Sequence, residues 1–176
     1  VSSVLDIDAV LEVIYQQIQR CLPLDAFYVC LYDAKAGEAS FPLVYDSGRR
    51  YEETARSLRQ HTFIARIIET ATPQLVNRSA EELESSAVRY PMGDVSKPSA
   101  SLMFAPLQVG EQVIGALSAQ SYTLNAYNEE HLALLSSIAD QVTIAVENAR
   151  LHTEVQRHAE ELERRSGDIT KDDIIF

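Results

Sequence analysis

The feature that most constrains this chain is its C-terminal part, where the sequence predicts one long helix. From Asn128 to Arg165 neither proline nor glycine interrupts the chain. At 1.5 Å per residue this corresponds to roughly 57 Å of helix, more than a domain of this size needs for its own packing. Asn128 is a favourable N-cap, and Glu129 and Glu130 follow in the first turn, where the helix dipole favours negative charge. The sequence therefore predicts a helix that starts inside the domain and projects out of it.

The two halves of this helix differ in their apolar patterns. The first half carries enough apolar residues for a buried face: Leu132, Leu135, Ile138, Ala139, Val142, Ala145 and Val146. Beyond Asn148 a narrow seam remains among charged residues: Leu151, Val155, Ala159 and Leu162. So narrow a seam cannot bury itself against a globular core, but it can pair with a second copy as a coiled coil. Gly167 is expected to end the helix.

The first part of the chain predicts a helix followed by a hairpin. Apolar residues between Asp6 and Leu22 have helical spacing, and Pro23 ends the pattern. Two short runs that suit strands, Ala26–Tyr32 and Ser40–Asp46, flank a turn. We expect these two runs to pair with each other.

The middle of the chain predicts a second helix and a second hairpin. A weakly amphipathic helix is expected over residues 61–70, and Leu75–Val76 suits a very short strand. Ser101–Val109 and Gln112–Ser121 are strand-like runs joined through Gly110, which suits the first turn position of a type II′ hairpin. The element order favours an α+β fold in which helices pack on a central antiparallel sheet.

The segment Asn77–Ser99 separates these elements and differs from them in character. It is polar, contains two prolines and a glycine, and has no sustained periodicity. Ser79 and Glu82 have the spacing of a capping box, which predicts a short helix inside the segment. Because long connections in compact domains are usually functional or mobile, we interpret this segment as a candidate lid.

Composition limits the partners of the chain. Its 176 residues suit one domain with an appendage, and the net charge of −11 disfavours binding to nucleic acid and to anionic membranes. Its apolar runs are far shorter than the roughly 20 residues that a membrane-spanning helix needs. Cys21 and Cys30 offer no metal-binding spacing. Because the sequence starts at Val1 and no signal peptide follows, we expect a piece of a longer cytoplasmic protein.

Three blocks of sequence resemble the GAF domain family. The first is SLMFAPLQVGEQVIGALSAQS at 101–121, and the second is AYNEEHL at 126–132. The third runs from IADQV to AVENARL over 138–151, and the first helix and strand add weaker similarity. The resemblance covers about residues 3–155. It implies an antiparallel sheet of about six strands with helices on one face and a ligand pocket under variable loops on the other.

The resemblance also implies a function and a division of the chain. GAF domains are mostly regulatory modules that bind a small molecule or dimerise, and signal through a C-terminal helix to an output domain in the same polypeptide, such as a sensor histidine kinase. The implied division is a sensor domain at 1–150, a projecting coiled-coil helix at 151–166 and the start of a further segment at 167–176. The ligand or cofactor is not identified, because fold and function are loosely tied.

Two alternatives to a ligand sensor stay open: a ligand-free dimerisation module and, more remotely, a thiol-dependent redox enzyme using Cys30. The signature of cyclic-nucleotide-binding members is absent, since Arg78 follows Asn77 where that signature has lysine. Neither cysteine lies where a bilin would attach. His61 is the one tenable iron ligand, because the other histidines lie on the long helix. We expect no catalytic residues and no metal site.

Strand alternation and the resemblance nominate the site residues. Tyr28, Cys30 and Tyr32 share one side of the first strand, and tyrosines combine apolar area with hydroxyl groups that orient a ligand. The candidate ligand-binding residues are Tyr28, Tyr32, Tyr45, Ser101, Met103 and Gln120 from the strands, and Arg78, Arg89, Tyr90 and Asp94 from the lid. A homodimer interface formed by the first and last helices would include Leu11, Ile14, Ile138, Ala145, Leu151 and Val155.

Overall fold

An antiparallel sheet forms the centre of the fold in the computed structural model, which describes residues 7–58, 62–85, 92–94 and 96–172. The strands are β1 (Ala26–Asp33), β2 (Glu38–Asp46), β3 (Arg49–Arg50), β4 (Arg56–Ser57), β5 (Gln74–Asn77), β6 (Ser101–Val109) and β7 (Gln112–Ser121). They lie in the order β3-β2-β1-β7-β6-β5, and β4 pairs with the start of β2. The predicted α+β class and both predicted hairpins are confirmed.

Helices cover both faces of the sheet. They are α1 (Ile7–Cys21), α2 (Thr62–Thr70), α3 (Ala80–Ser85) and α4 (Glu129–Asp172). The long helix α4 packs beside α1 and against β6. The short helix α2 packs on the opposite face, against β6 and β7.

Side-chain alternation along the strands divides the interior into two clusters. On β6, Met103 and Leu107 face α1 and α4, whereas Leu102 and Phe104 face α2. We call the first cluster the helix-face core. We call the second the pocket-face core, because the GAF resemblance assigns the ligand pocket to this side. Its buried members are Tyr28, Cys30, Ala39, Phe41, Val44, Ile64, Ile67, Leu102, Phe104 and Ala116.

β1 and β7 approach each other so closely at Gly115 that no side chain fits there. A Cβ atom on Gly115 would lie 2.1 Å from the carbonyl oxygen of Cys30. Gly115 pairs with Leu31 across the two strands, so the clash would fall in the middle of the sheet. Glycine at this position therefore allows the central strand pair to form.

α4 begins where the sequence predicts and ends later. Asn128 Oδ1 accepts a hydrogen bond from the His131 N–H at 3.0 Å, and His131 Nδ1 accepts one from the Asn128 N–H at 3.1 Å. The prediction that Gly167 ends the helix is wrong, because the helix continues to Asp172. A single exposed glycine costs a helix only about 1 kcal/mol relative to alanine, which its neighbours can offset.

None of the helices in the described part of the chain combines the length and the apolar character required to cross a bilayer.

Candidate functional site

The described side chains of the pocket-face core pack closely against one another. Phe63 and Phe104 stack with ring centroids 4.9 Å apart, and Tyr28 meets Phe41 edge-on at 5.9 Å. Ile64, which α2 contributes to this core, is fully buried. These side chains fill the apolar part of the face themselves.

A row of neutral polar groups crosses this apolar face. The Tyr28 hydroxyl hydrogen-bonds Ser118, which lies directly opposite it on β7. Gln120 Nε2 donates to Ser118 Oγ at 2.9 Å, and Ser99 Oγ donates to Gln120 Oε1 at 2.6 Å. Burial raises the pKa of Tyr28, so its hydroxyl stays protonated near neutral pH. Such a row can orient a ligand by hydrogen bonds but supplies no acid or base.

Arg78 joins the two ends of the candidate lid. Its backbone N–H donates to the Ala100 carbonyl at 2.9 Å, and its guanidinium donates to the Ser99 carbonyl at 3.0 Å. Within the lid, Ser79 and Glu82 form the predicted capping box, with reciprocal hydrogen bonds of 2.7 and 3.1 Å. Hydrogen bonds of Arg78 therefore connect the start of the lid to its end.

A buried carboxylate that sequence reasoning missed lies at the rim of the pocket face. Asp46 ends β2 and is only 3% exposed. Its Oδ1 accepts hydrogen bonds from the hydroxyls of Tyr122 and Ser47, and its Oδ2 accepts one from the Asp94 N–H at 2.9 Å. An aspartate just before a Ser-Gly turn is typical of an exposed turn residue, so the sequence carries no signal for this role.

The predicted ligand-binding residues divide between the two faces and the region outside the described residues. Tyr28 and Gln120 lie on the pocket face, and Tyr32 is half-buried opposite Ala39 near the end of β1. Asp94 lies at the rim, on Asp46. Arg89, Tyr90 and the histidine at 61 lie outside the described residues.

The structure places three further candidates on the helix face instead. Met103 is part of the helix-face core. Tyr45 stacks on Tyr15 with centroids 3.9 Å apart and donates to Glu12. The Ser101 hydroxyl donates to the Thr123 carbonyl and accepts from the Ala126 N–H. All three follow or precede a pocket-face residue on their strand, so alternation turns them to the other side.

The predicted interface residues range from fully buried to exposed. Leu11 is fully buried in the helix-face core of its own chain, while Ile14 and Ile138 pack against that core from its edge. Ala145 is half-buried. Leu151 and Val155 are exposed, and with two further residues they form what we call the α4 row: Ile144 at 62%, Leu151 at 56%, Val155 at 66% and Leu162 at 67% exposure.

The thiols and histidines of the described part of the chain do not gather into a metal-binding group. Cys30 is fully buried, and burial raises its pKa to about 12, whereas Cys21 is exposed. A thiol with so high a pKa is a poor nucleophile. Across the described ranges, no three His, Cys, Asp or Glu side chains gather into a group that could hold a metal ion.

The comparison with known families agrees with this architecture. The family model described as GAF domain matches residues 4–147. This chain belongs to the GAF domain family. The GAF core thus includes the whole sheet and α1, and it reaches into α4 as far as the start of the exposed part of that helix.

One relative of this GAF domain by sequence is a transcriptional activator. The chain is 23% identical to a formate hydrogenlyase transcriptional activator of Salmonella typhimurium, and the match covers 92% of this chain and 24% of that protein. The chain therefore spans about a quarter of that relative's length.

Two solved structures show the same fold. A GAF domain of a two-component sensor histidine kinase from Bacillus halodurans matches with a TM-score of 0.63 and 13% identity, over 83% of this chain and 97% of that one. A free methionine-R-sulfoxide reductase from Thermoplasma acidophilum matches with a TM-score of 0.61 and 18% identity, over 81% and 93%. At these identities the likeness concerns the fold alone.

Proposed function

We propose that this GAF domain is a regulatory module that forms a homodimer along α4 and transmits the state of its pocket face through that helix to an output domain in the same polypeptide. The observation that carries the proposal is the exposed α4 row. Between residues 147 and 167 no side chain of α4 is buried, yet apolar residues recur on one side of the helix.

The spacing of the row suits a two-stranded coiled coil. Ile144, Leu151, Val155 and Leu162 follow one another at intervals of seven and four residues, as the core positions of a heptad repeat do. Fully burying one such side chain is worth about 1.5–3 kcal/mol. Asn148 and His158 occupy the other two core positions of the same heptad, and polar core residues fix register at some cost in stability. A second copy of the chain is therefore the partner that the row fits.

The charges beside the row favour a parallel arrangement. Glu147, Glu154 and Glu161 lie seven residues apart along one flank, while His152 and Ala159 lie on the other. In an antiparallel pair the like flanks would meet, so glutamates would face glutamates. In a parallel pair the acidic flank of one helix meets the other flank of its partner, which avoids that repulsion.

The route from the pocket face to α4 is short. β6 contributes Phe104 to the pocket-face core and Met103 to the helix-face core, and α4 packs directly on β6. A displacement of the pocket-face core therefore moves residues that contact α4. The sequence similarity to a transcriptional activator supports a signalling output.

The module either binds a ligand or acts without one, and one observation favours each alternative. The neutral row of Tyr28, Ser118, Gln120 and Ser99 favours a small polar molecule as ligand. The Phe63–Phe104 stack, which fills the face from within, favours a dimerisation module without a ligand.

The mass of the chain in solution tests this proposal. Native mass spectrometry after gentle purification is expected to give twice the 19.6 kDa chain mass. A discrete additional mass would identify a ligand sensor, whereas a dimer without one would favour the ligand-free module. A single-chain mass at every concentration would contradict the homodimer.

A further inference from the structure

We propose that Met92, Gly93 and Asp94 form a latch that holds the pocket face closed, and that Asp46 and Glu53 keep this latch shut. The biological meaning of the latch, which is regulation of the pocket face, rests on the proposed function. The latch itself rests on the geometry of these five residues.

Asp46 fixes the latch through a buried carboxylate. Its Oδ2 accepts the Asp94 N–H at 2.9 Å, while the hydroxyls of Tyr122 and Ser47 occupy Oδ1. A carboxylate that is 3% exposed needs such donors, because an unsatisfied buried charge is costly. The carboxylate therefore favours the conformation in which the Asp94 amide stays in place.

Glu53 supplies the second acceptor, on the preceding amide. Its Oε1 accepts the Gly93 N–H at 3.3 Å, and its other oxygen pairs with Arg56. Arg56 in turn lies over the Phe41 ring of the pocket-face core, with its guanidinium carbon 5.8 Å from the ring centroid. Two successive backbone amides are thus held by two carboxylates, one at the end of β2 and one between β3 and β4.

Gly93 is required for this close approach. Its φ of +69° is a conformation that other residues rarely adopt. A Cβ atom there would lie 2.8 Å from both Cβ and Oδ2 of Asp46. The backbone of the latch therefore rests directly on the carboxylate that binds it.

Met92 gives the latch its effect on the pocket face. It is half-buried and packs against the pocket-face core, immediately before the two amides that the carboxylates hold. Holding Gly93 and Asp94 thus keeps a flexible apolar side chain on that core. Release of Gly93 and Asp94 frees Met92 to leave that core, so the latch sets how readily the pocket face opens.

Cys30 provides a specific reporter for opening of the pocket face. It belongs to the pocket-face core, is fully buried and is the one thiol left in a Cys21→Ser background. The experiment measures its rate of reaction with an aromatic disulfide reagent at constant pH. We expect Asp46→Asn, Glu53→Gln and Met92→Ala each to raise the rate roughly tenfold or more, because each removes a contact that holds the face closed.

Two control variants separate opening of the latch from general destabilisation. Glu52→Gln changes an exposed carboxylate next to Glu53 and is expected to leave the rate unchanged. Leu135→Ala destabilises the helix-face core, and its labelling rate gives the contribution of global unfolding. Latch variants must label faster than Leu135→Ala when compared at equal thermal stability.

Rates in the latch variants that equal those of Glu52→Gln, or that do not exceed Leu135→Ala, would overturn the latch. If Asp46→Asn fails to fold, Glu53→Gln and Met92→Ala carry the test, because Glu53→Gln keeps the size of the side chain and Met92 is only half-buried. The readout needs neither ligand nor dimer. A failed latch and a failed homodimer are therefore distinguished, the first by the labelling rate and the second by the solution mass.

Discussion

Replacing Leu151 with glutamate is expected to convert the proposed homodimer into a monomer. Leu151 is 56% exposed in the single chain, so the substitution removes no packing from the domain itself. In a parallel pair the two Leu151 side chains meet in the seam, and the variant replaces that apolar contact with two carboxylates facing each other. We expect the dissociation constant to rise by roughly 100-fold or more, from lost burial together with charge repulsion.

Sedimentation equilibrium measures this change. Val155→Glu is expected to act in the same way, because Val155 lies in the same row. Thr153→Glu is the matched control, since it adds the same charge at an exposed position on nearly the opposite side of the helix. It should remain a dimer. A dimer that persists in Leu151→Glu with unchanged affinity would place the interface elsewhere than α4.

Phe104→Ala is expected to lower the free energy of unfolding by about 3–5 kcal/mol, a range typical of large-to-small changes in packed cores. Phe104 is 1% exposed, lies on a central strand and stacks on Phe63 of α2. Removal of its ring leaves a cavity under α2. The expected loss in the free energy of unfolding is large because the side chains of the pocket-face core pack closely against one another.

Chemical denaturation of the wild type and the variant gives this difference. Val109→Ala is a matched control on the same strand, where the side chain is 40% exposed, and it should change stability by no more than about 0.5 kcal/mol. A loss below about 1 kcal/mol for Phe104→Ala would mean that the side chains of the pocket face are loosely packed, contrary to the ring stacking under α2.

The elements of the fold could be predicted where local chemistry determines them. The Asn128 cap, the capping box at Ser79 and the glycine turn at Gly110 all depend on residues within a few positions of one another. The hairpins follow from alternation around such turns. The end of α4 could not be predicted in this way, because one glycine is too small a penalty to decide where a long helix stops.

The candidate site was harder to predict because it depends on pairing between distant segments. Alternation shows which residues of one strand lie on the same face of the sheet. It does not show whether that face is the helix face or the pocket face. Met103 and Tyr45 therefore suggested pocket candidates, although they face the helices. Glu53 and Asp46 hold amides that lie 40 and 48 positions further along the chain, and no local pattern reports such a contact.

The most direct test of the homodimer is disulfide cross-linking of Val155→Cys in a Cys21→Ser background, because every core residue meets its own copy in a parallel, in-register pair. Two thiols at a core position of that pair lie close enough for a disulfide, which requires Cβ atoms about 3.5–4.5 Å apart. A parallel homodimer along α4 predicts a covalent dimer for Val155→Cys under mild oxidation and none for Thr153→Cys. Cross-linking that is absent at 155, or equally efficient at 153, would contradict this homodimer.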